Sequence, residues 1–393
     1  LSAMQDAGLR GKTAYTVLHT YAQGCCNHLL RANYEEGQWV DDLEEVLHQG
    51  LARVTGSLLD ADQRALAALR LKDGGIASGG FRWRSASAFL GSWGMVFQEV
   101  ASGIGVATLE GFSSRCPMAW DELGLAERAL RLHGGNGSRA LDWGQMMDEP
   151  AAKLQGTWAK EISENRRESI LWALSEEDAA DARSHGGPGA GSFLCLPCLG
   201  GKVMPDKHFT ISLRDRLLLP VCQEGARCQH RRPNGSLCNA PLDARGKHAK
   251  TCAIGGGWVR RHNGLRDYGA VSWRACSGSQ ALTEQRVPEW DRGVSDGRGG
   301  TVLEEAVLDI VTSDPQSGLP LHVDVTVTIA CPSDPATLRR RARRDGTGAA
   351  DAAAAKRSRY NLAGPSLVPL AFEDGGRPAE ETVGFVRRCG AAA

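Results

Sequence analysis

Long apolar runs, abundant cysteine and an excess of charge of one sign are all missing from this sequence. No apolar run approaches the roughly 20 residues that a membrane-spanning helix needs, so we predict no membrane partner. Twelve cysteines in 393 residues are too few for a secreted disulfide scaffold. The formal net charge is zero, and the content of 42% hydrophobic and 23% charged residues is that of an ordinary globular protein. A chain of this length has room for two or three domains, and because it begins with Leu1 we expect a piece of a longer product.

The zero net charge hides a segregation of charge along the chain. From Asp206 to Arg274, thirteen Lys and Arg stand against five Asp and Glu, an excess of eight positive charges. A second basic cluster consists of Arg339, Arg340, Arg341, Arg343 and Arg344. Either cluster alone is also compatible with a solvated helix face. Together they indicate a C-terminal half that binds a polyanion.

Helical periodicity dominates the first half of the chain. Asp41 to Leu51 and Asp60 to Leu71 are amphipathic, and each is entered by an Asp suited to helix capping. His185 to Gly191 is glycine-rich and indicates a linker. A Cys/His segment, a helix, two strands, a long Ala/Arg helix ending near Tyr360 and a short strand from Leu367 to Phe372 follow. We therefore predict an α+β protein with a helical region (1–184), a linker (185–220), a zinc knuckle (221–258) and an α/β domain (259–393).

One acidic pair in the first half is similar to the aspartate pair of reverse transcriptases, namely Asp41-Asp42 within Trp39 to Leu43. Polymerase chemistry needs another metal-binding Asp on an upstream strand, but Asp6 is the only Asp before residue 39 and lies in no strand-like run. We expect an exposed helix start here and no polymerase active site in this chain. A polymerase fragment acting through Asp41 and Asp42 is the third of three alternatives, and it would require an adjacent palm sheet.

Cysteine and histidine cluster in the second half with the spacing of a metal site. Cys228, Cys238, His248 and Cys252 follow the pattern C-x9-C-x9-H-x3-C. Thiolate and imidazole ligands suit Zn²⁺, and four protein ligands close a structural site. The segment has few apolar residues around which to fold, so a metal would supply the missing stability. Two alternatives remain within the cluster, since Cys222 could replace Cys228 as the first ligand and His230 could intrude. Cys195 and Cys198 form a separate CxxC without a partner pair, for which we predict buried thiols.

Two strand-like runs each contain a single acid among apolar residues. Asp309 lies in residues 306–311 and Asp324 in residues 321–327, and the turn between Pro315 and Pro320 predicts a hairpin that brings the two acids together. A buried acid is costly unless it is paired or metal-bound, and converging carboxylates suit Mg²⁺. Such an ion supports phosphodiester hydrolysis. Glu284 is the candidate third acid, and Lys356 is the candidate for orienting the water or neutralising the phosphate. For each acid alone the alternative is a solvent-facing strand end, and for Lys356 it is a surface position.

The order of these features resembles the C-terminal region of non-LTR retrotransposon proteins that carry a restriction-like endonuclease. The resemblance covers roughly residues 206 to 390, and the helical first part is less specifically similar to the thumb and linker that follow the polymerase palm. The family has a Cys-Cys-His-Cys knuckle, an Arg-His-Asn segment, an acid in a helix, two aspartate strands and a Lys-x-x-x-Tyr helix. In this chain the corresponding residues are Cys228 to Cys252, Arg261-His262-Asn263, Glu284, Asp309, Asp324 and Lys356 to Tyr360.

The resemblance implies an endonuclease of the restriction-enzyme fold that nicks target DNA, so that the exposed 3′ end primes reverse transcription. It implies DNA, the element RNA and the rest of the polyprotein as partners, Zn and Mg as cofactors, and a nuclear location. Predicted catalytic residues are Asp309, Asp324, Lys356 and Glu284, and predicted nucleic-acid-binding residues are Arg261, His262, Arg339, Arg340 and Tyr360. We expect Arg261 and His262 either to contact DNA or to support the site, and His262 could instead cap or pack.

Two positions depart from the pattern of the family. Leu308 stands where a Pro usually precedes the first aspartate, and Thr326 stands where many restriction-type nucleases keep a lysine. Lys356 on the following helix corresponds to the shifted lysine of the family. The main alternative to a nuclease is a catalytically dead, zinc-dependent nucleic-acid-binding module of the same kind of polyprotein.

Overall fold

The computed structural model describes residue 8 and residues 11–34, 37–135, 141–195, 204–297, 299–360 and 364–392. The chain forms two compact units. The helical unit comprises Leu1–Ser175 and Phe193–Leu219, and the sheet unit comprises Glu176–Ser192 and Pro220–Ala393. The predicted α+β class is confirmed, with a small mixed sheet. None of the described helices is long and apolar enough to cross a bilayer.

The described α-helices are, in chain order, α1 (Gly11–Val17), α2 (Gln23–Ala32), α3 (Gln38–Thr55), α4 (Ala61–Ala68), α5 (Phe81–Gly103), α6 (Leu109–Arg115), α7 (Pro117–Leu132), α8 (Trp143–Asp148), α9 (Leu154–Ala173), α10 (Glu176–Ser184), α11 (Ser192–Cys195), α12 (Asp206–Arg216), α13 (Lys247–Thr251), α14 (Gly257–Ser277), α15 (Pro335–Arg343), α16 (Thr347–Arg359) and α17 (Glu380–Ala392). A π-helical turn (Leu18–Ala22) joins α1 to α2. The described strands are β1 (Leu282–Arg286), β2 (Arg292–Ser295), β3 (Thr301–Glu304), β4 (Val307–Ser313), β5 (Pro320–Thr328) and β6 (Leu367–Glu373).

The helical unit is held together by two apolar clusters. One gathers Leu30 and Leu51 with Phe209 of α12, and the other gathers aromatic residues of α5, α6 and α9 such as Phe97 and Trp158. Helices α5 and α9 approach closely, because a Cβ added at Gly91 would lie 2.7 Å from the Cβ of Gln155. Glycine at that position therefore allows the two helices to bury their apolar faces against each other.

The capping predictions have opposite outcomes. Asp60 is confirmed as the N-cap of α4, since its carboxylate accepts a hydrogen bond from the Gln63 backbone N–H at 2.9 Å. Helix α3, in contrast, begins at Gln38 after Gly37, so Asp41 lies within the first helical turn and pairs with Arg82. The capping role predicted for Asp41 is wrong because the helix starts one turn earlier.

In the sheet unit, a four-stranded sheet has the order β1-β4-β5-β6. The hairpin predicted for the two aspartate strands is confirmed, since β4 and β5 pair antiparallel with Ile310 opposite Val323. The predicted strand near Leu367 is β6, which pairs parallel with β5. Strands β2 and β3 form a separate two-stranded sheet. The apolar core packs α14 and α17 against one face of the sheet through residues such as Trp273 and Phe385.

The predicted long Ala/Arg helix is two helices, α15 and α16. The chain turns at Gly346, which has φ +67° and stands as the N-cap of α16. Because such a φ is outside the helical region, the helix cannot run through this point. The break lets α16 pack on β6 and β5 with its Ala-rich face, where Ala349 and Ala353 are buried.

The segment predicted as a linker contains packed structure. Much of residues 185–191 is buried, and the backbone approaches Gly375 so closely that a Cβ added at Gly375 would lie 2.9 Å from the His185 backbone nitrogen. The Arg377 backbone N–H donates to the Ser184 carbonyl oxygen at 2.9 Å. Further along the same predicted linker, α12 contributes Phe209 and Arg216 to the interior of the helical unit.

Candidate functional site

The first two residues of the Cys/His cluster lie on a short antiparallel ribbon. The Cys228 N–H donates to the Ala240 carbonyl at 2.9 Å, and the Cys238 N–H donates to the His230 carbonyl at 2.7 Å. The turn of this ribbon is the predicted Asn234-Gly235, with Gly235 at φ +82° and the Asn234 Oδ1 accepting from the Ser236 N–H. The ribbon therefore brings the two thiols to one side.

The other two residues flank one short helix. His248 lies in α13 and Cys252 directly follows it. The carboxylate of Asp243 accepts hydrogen bonds from the N–H groups of Lys247 (3.1 Å) and His248 (3.2 Å), which fixes the start of the helix. The spacing of four residues places the imidazole and the thiol on the same side, as the sequence predicts.

The four side chains converge at distances that fit a zinc ion. One ligand atom from each of Cys228, Cys238, His248 and Cys252 lies within 4.8 Å of the others. The sulfur of Cys252 is 3.7 Å from that of Cys228 and 3.9 Å from that of Cys238, and the Cys238 sulfur is 3.5 Å from the His248 Nε2. A tetrahedral ion with bonds of ~2.3 Å to sulfur spaces its sulfur ligands about 3.8 Å apart. The observed separations are far longer than a disulfide bond and close to the spacing of zinc ligands. The cluster could therefore hold a metal such as zinc.

The alternative ligands lie outside this cluster. Cys222 and His230 are not among the converging side chains. Instead, His230 packs against Gly255, where an added Cβ would lie 2.7 Å from the imidazole ring. Cys195 is exposed at the end of α11, so the prediction of a buried thiol is wrong there because the short helix points it outward. Cys198 lies outside the described residues.

The knuckle is connected to the rest of the sheet unit by ion pairs. Arg245 lies 3.1 Å from the buried carboxylate of Asp181 in α10, and Lys250 lies 3.4 Å from Asp374. Lys247 pairs with Glu177, also in α10. Helix α10 therefore links the knuckle to the sheet, although the sequence assigned residues 176–184 to the helical region.

The two predicted aspartates lie side by side in the middle of the sheet. The register that pairs Ile310 with Val323 sets Asp309 opposite Asp324, where the regular ladder between β4 and β5 ends. Asp309 is 9% exposed and Asp324 is 3% exposed. The Asp309 Oδ2 accepts a hydrogen bond from the Val325 N–H at 2.7 Å, so its carboxylate replaces a backbone acceptor. The sequence prediction that the hairpin joins these acids is confirmed.

His262 of α14 contacts the first aspartate. Its Nε2 lies 3.1 Å from the Asp309 Oδ2 and 3.1 Å from the Val325 carbonyl oxygen. The helix thus fixes the position of the Asp309 carboxylate relative to β5. Of the alternatives for His262, which are DNA contact, support of the site, and capping or packing, support of the acidic site fits these contacts.

Lys356 and Tyr360 contact the second aspartate. The Nζ of Lys356 in α16 lies 2.8 Å from the Asp324 Oδ2. Burial raises the pKa of Asp324 to about 6. The Lys356 ammonium lowers this pKa, the Asp309 carboxylate raises it, and the ammonium offsets the rise only in part. Burial and the negative charge of Asp324 raise the pKa of Tyr360 to about 12. Five predicted residues therefore form one group, the acidic site (Asp309, Asp324, Lys356, Tyr360 and His262).

Glu284 does not join the acidic site. The register of β1 sets Glu284 opposite Asp309, since Thr283 pairs with Ile310 and Gln285 with Leu308. Its backbone has φ +53°, however, and its exposed carboxylate pairs with Arg266 of α14. It lies in a strand, whereas the corresponding acid of the resembled family lies in a helix. Two carboxylates rather than three therefore converge.

The predicted nucleic-acid contacts are spread over α14 and α15. Arg261 is half-buried beside His262, and Arg339 and Arg340 are exposed. Arg340 pairs with Asp351 of α16. Arg266 was missed by the sequence reasoning, although its position four residues after His262 on the same helical face was a usable signal.

Neither a protein-family model nor a curated protein matches this chain. The site must therefore be interpreted from its own geometry.

Proposed function

We propose that the sheet unit is a metal-dependent DNA endonuclease whose acidic site hydrolyses a phosphodiester bond. The observation that carries the proposal is the pair of buried aspartates, Asp309 and Asp324, on adjacent strands with Lys356 at 2.8 Å from the second. Buried like charges are costly, and sites that keep them are commonly functional.

The donor set of the acidic site fits Mg²⁺. Both aspartates offer oxygen ligands, which this ion prefers. Burial, and to a lesser extent the neighbouring Asp309, raises the pKa of Asp324, so a divalent cation would offset the cost of keeping both carboxylates ionised. When bound, such an ion supplies an activated water and stabilises the leaving oxygen. Asp309 and Asp324 would hold it.

The remaining residues of the acidic site position its carboxylates and neutralise negative charge. Lys356 carries the only formal positive charge that directly contacts Asp324 among the described residues, and on DNA binding it would neutralise the scissile phosphate. His262 keeps the Asp309 carboxylate directed between β4 and β5. Tyr360 is 6% exposed and lies near Asp324, so it limits access of water from that side.

The biological setting follows the resemblance to retrotransposon proteins. In that setting the zinc knuckle and the basic residues of α14 and α15 bind DNA, and the element RNA and the rest of a polyprotein are further partners. The nick would prime reverse transcription in the nucleus. The excess of eight positive charges between Asp206 and Arg274 supports a polyanionic partner.

The test is nicking of supercoiled plasmid by the purified chain, titrated with Mg²⁺, with DNA binding measured in parallel. Asp324→Asn and Asp309→Asn keep the side-chain shape and remove a charge, so we expect nicking to fall by roughly 100-fold or more while DNA binding persists. Asp121→Asn removes a charge from an exposed position of the helical unit and is the matched control, for which nicking should be unchanged. Nicking that survives in both active-site variants would refute the proposal.

The second candidate is a nucleic-acid-binding module without catalysis. The specific observation in its favour is that Glu284 pairs with Arg266 and leaves only two carboxylates for an ion. Salt-sensitive DNA binding without nicking at any Mg²⁺ or Mn²⁺ concentration would support this candidate over the nuclease.

A further inference from the structure

A groove of about 530 Å³ in the helical unit is lined by one face of α3. Asp41, Glu44, Glu45 and His48 follow each other at helical spacing on this face, and Trp83 and Arg64 line the groove opposite. The groove belongs to the helical unit alone and takes no part in the acidic site.

His48 is the unusual member of this lining. It is 6% exposed, and neither of its ring nitrogens has a hydrogen-bond partner among the described residues. A buried imidazole normally has its donor and acceptor satisfied. Burial and Arg64 lower the pKa of His48 to about 4, so the ring is neutral at pH 7 and offers a lone pair.

Glu44 and His48 face the same small space. A Cβ added at Gly79 would lie 3.2 Å from both the Glu44 Oε1 and the His48 Nε2, so both atoms border the space beside this glycine from consecutive turns of α3. Gly79 and Gly80 have φ of +83° and +74°, and the Gly80 N–H donates to the Glu44 Oε1 at 2.7 Å. The glycine pair therefore orients the carboxylate and leaves room beside it.

The other acids of the groove are already paired. Arg82 lies against Asp41, and Arg64 lies 2.6 Å from Glu45. Asp42 accepts a hydrogen bond from Gln38 at 3.0 Å. Arg84 and Arg166 contribute positive charge near Glu44 without a direct ion pair among the described contacts. The Glu44 carboxylate and the His48 imidazole are thus the groups in the groove that remain available as metal ligands.

We propose that Glu44 and His48 form a second metal site, which takes a divalent transition ion of the zinc type and completes its coordination with water. Imidazole and carboxylate at i and i+4 on one helix are a ligand pair that such ions accept. Two protein ligands in an open groove make the site weaker and more exchangeable than the knuckle. The site does not depend on nuclease activity.

The test uses as parent the full chain with Asp309→Asn and Asp324→Asn, which removes the carboxylates of the acidic site as competing zinc ligands. This parent, carrying one zinc by elemental analysis, is titrated with Zn²⁺ by calorimetry. We expect a second equivalent to bind to the parent, no such binding to His48→Ala and at least ~10-fold weaker binding to Glu44→Gln. His28→Ala, which changes an exposed histidine of α2, is the matched control and should bind like the parent.

Circular dichroism checks that each variant is folded. Should His48→Ala unfold, Glu44→Gln decides alone, because glutamine can still accept the Gly80 N–H. Absence of a second equivalent in the parent, or a second equivalent that both variants retain, would overturn the proposal.

Discussion

Buried charge is stabilised in different ways in the two units. In the helical unit, Arg216 is fully buried and donates to the carbonyl oxygens of Gly75, at 2.9 Å, and Leu71. Burial lowers its pKa to about 10, which leaves it charged. In the sheet unit, Asp309 and Asp324 are buried beside each other, and the pKa of Asp324 rises to about 6.

This difference separates a structural charge from a candidate functional one. Neutral carbonyls accept hydrogen bonds from Arg216 without charge repulsion, so these bonds offset the cost of burying the guanidinium. Two adjacent carboxylates repel, and a fold that keeps them gives up stability for a site able to hold a cation. The knuckle is a third case, in which four ligands converge with few apolar residues around them.

The knuckle should show the largest effect. Removing the metal with a strong chelator takes away a binding free energy on the order of 10 kcal/mol in structural zinc sites, so the ribbon and α13 should unfold locally. Cys238→Ser should have the same effect, whereas Cys222→Ser should retain one zinc per chain. Hydrogen exchange of residues 227–252 and elemental analysis measure this, and protection that survives without metal would contradict it.

Arg216 should show the next largest effect. Arg216→Met leaves two buried carbonyl oxygens without donors, and we expect the free energy of unfolding of the helical unit to fall by about 3 kcal/mol. Arg115→Met, at an exposed position of α6, should change it by less than ~0.5 kcal/mol. Denaturant unfolding followed by near-ultraviolet circular dichroism compares the two, and equal losses would remove the contrast between the positions.

Asp324 should show the smallest effect. Its substitution by Asn should raise the stability relative to the parent as the pH rises, whereas the two changes above lower stability. Its folded-state pKa of about 6 lies above the ordinary value of 3.8, so its proton stabilises the fold fully below pH ~4, and that contribution is lost as pH rises through 6. Without Mg²⁺, the stability of the parent relative to Asp324→Asn should fall on the order of 1 kcal/mol from pH 5.5 to 7.5. Parallel pH profiles for the two proteins would exclude a raised pKa at this residue.

Local patterns were sufficient for much of the fold and the site. The apolar runs around Asp309 and Asp324 predicted two paired strands, and the spacing from Cys228 to Cys252 predicted a metal cluster, because strand alternation and ligand spacing are local properties. The capping Asp60 was predictable for the same reason. The break at Gly346 was not, since it depends on a left-handed glycine conformation that the sequence permits without requiring. The start of α3 was not either, since Gly37 precedes it in an extended conformation that any residue can adopt.

Long-range contacts decided the rest. No periodicity indicated that residues 176–192 pack within the sheet unit, that Arg266 would draw Glu284 away from Asp309, or that Lys356 would reach Asp324 from α16. The pair Glu44 and His48 was readable as one helical face, but the burial of His48 was not. The sequence by itself determined which residues could ligate, cap or alternate, because these properties reside in the side chain and its neighbours. Only the tertiary structure decided which charges meet. Their meeting depends on segments that are far apart in the chain and that the burial of apolar surface brings together.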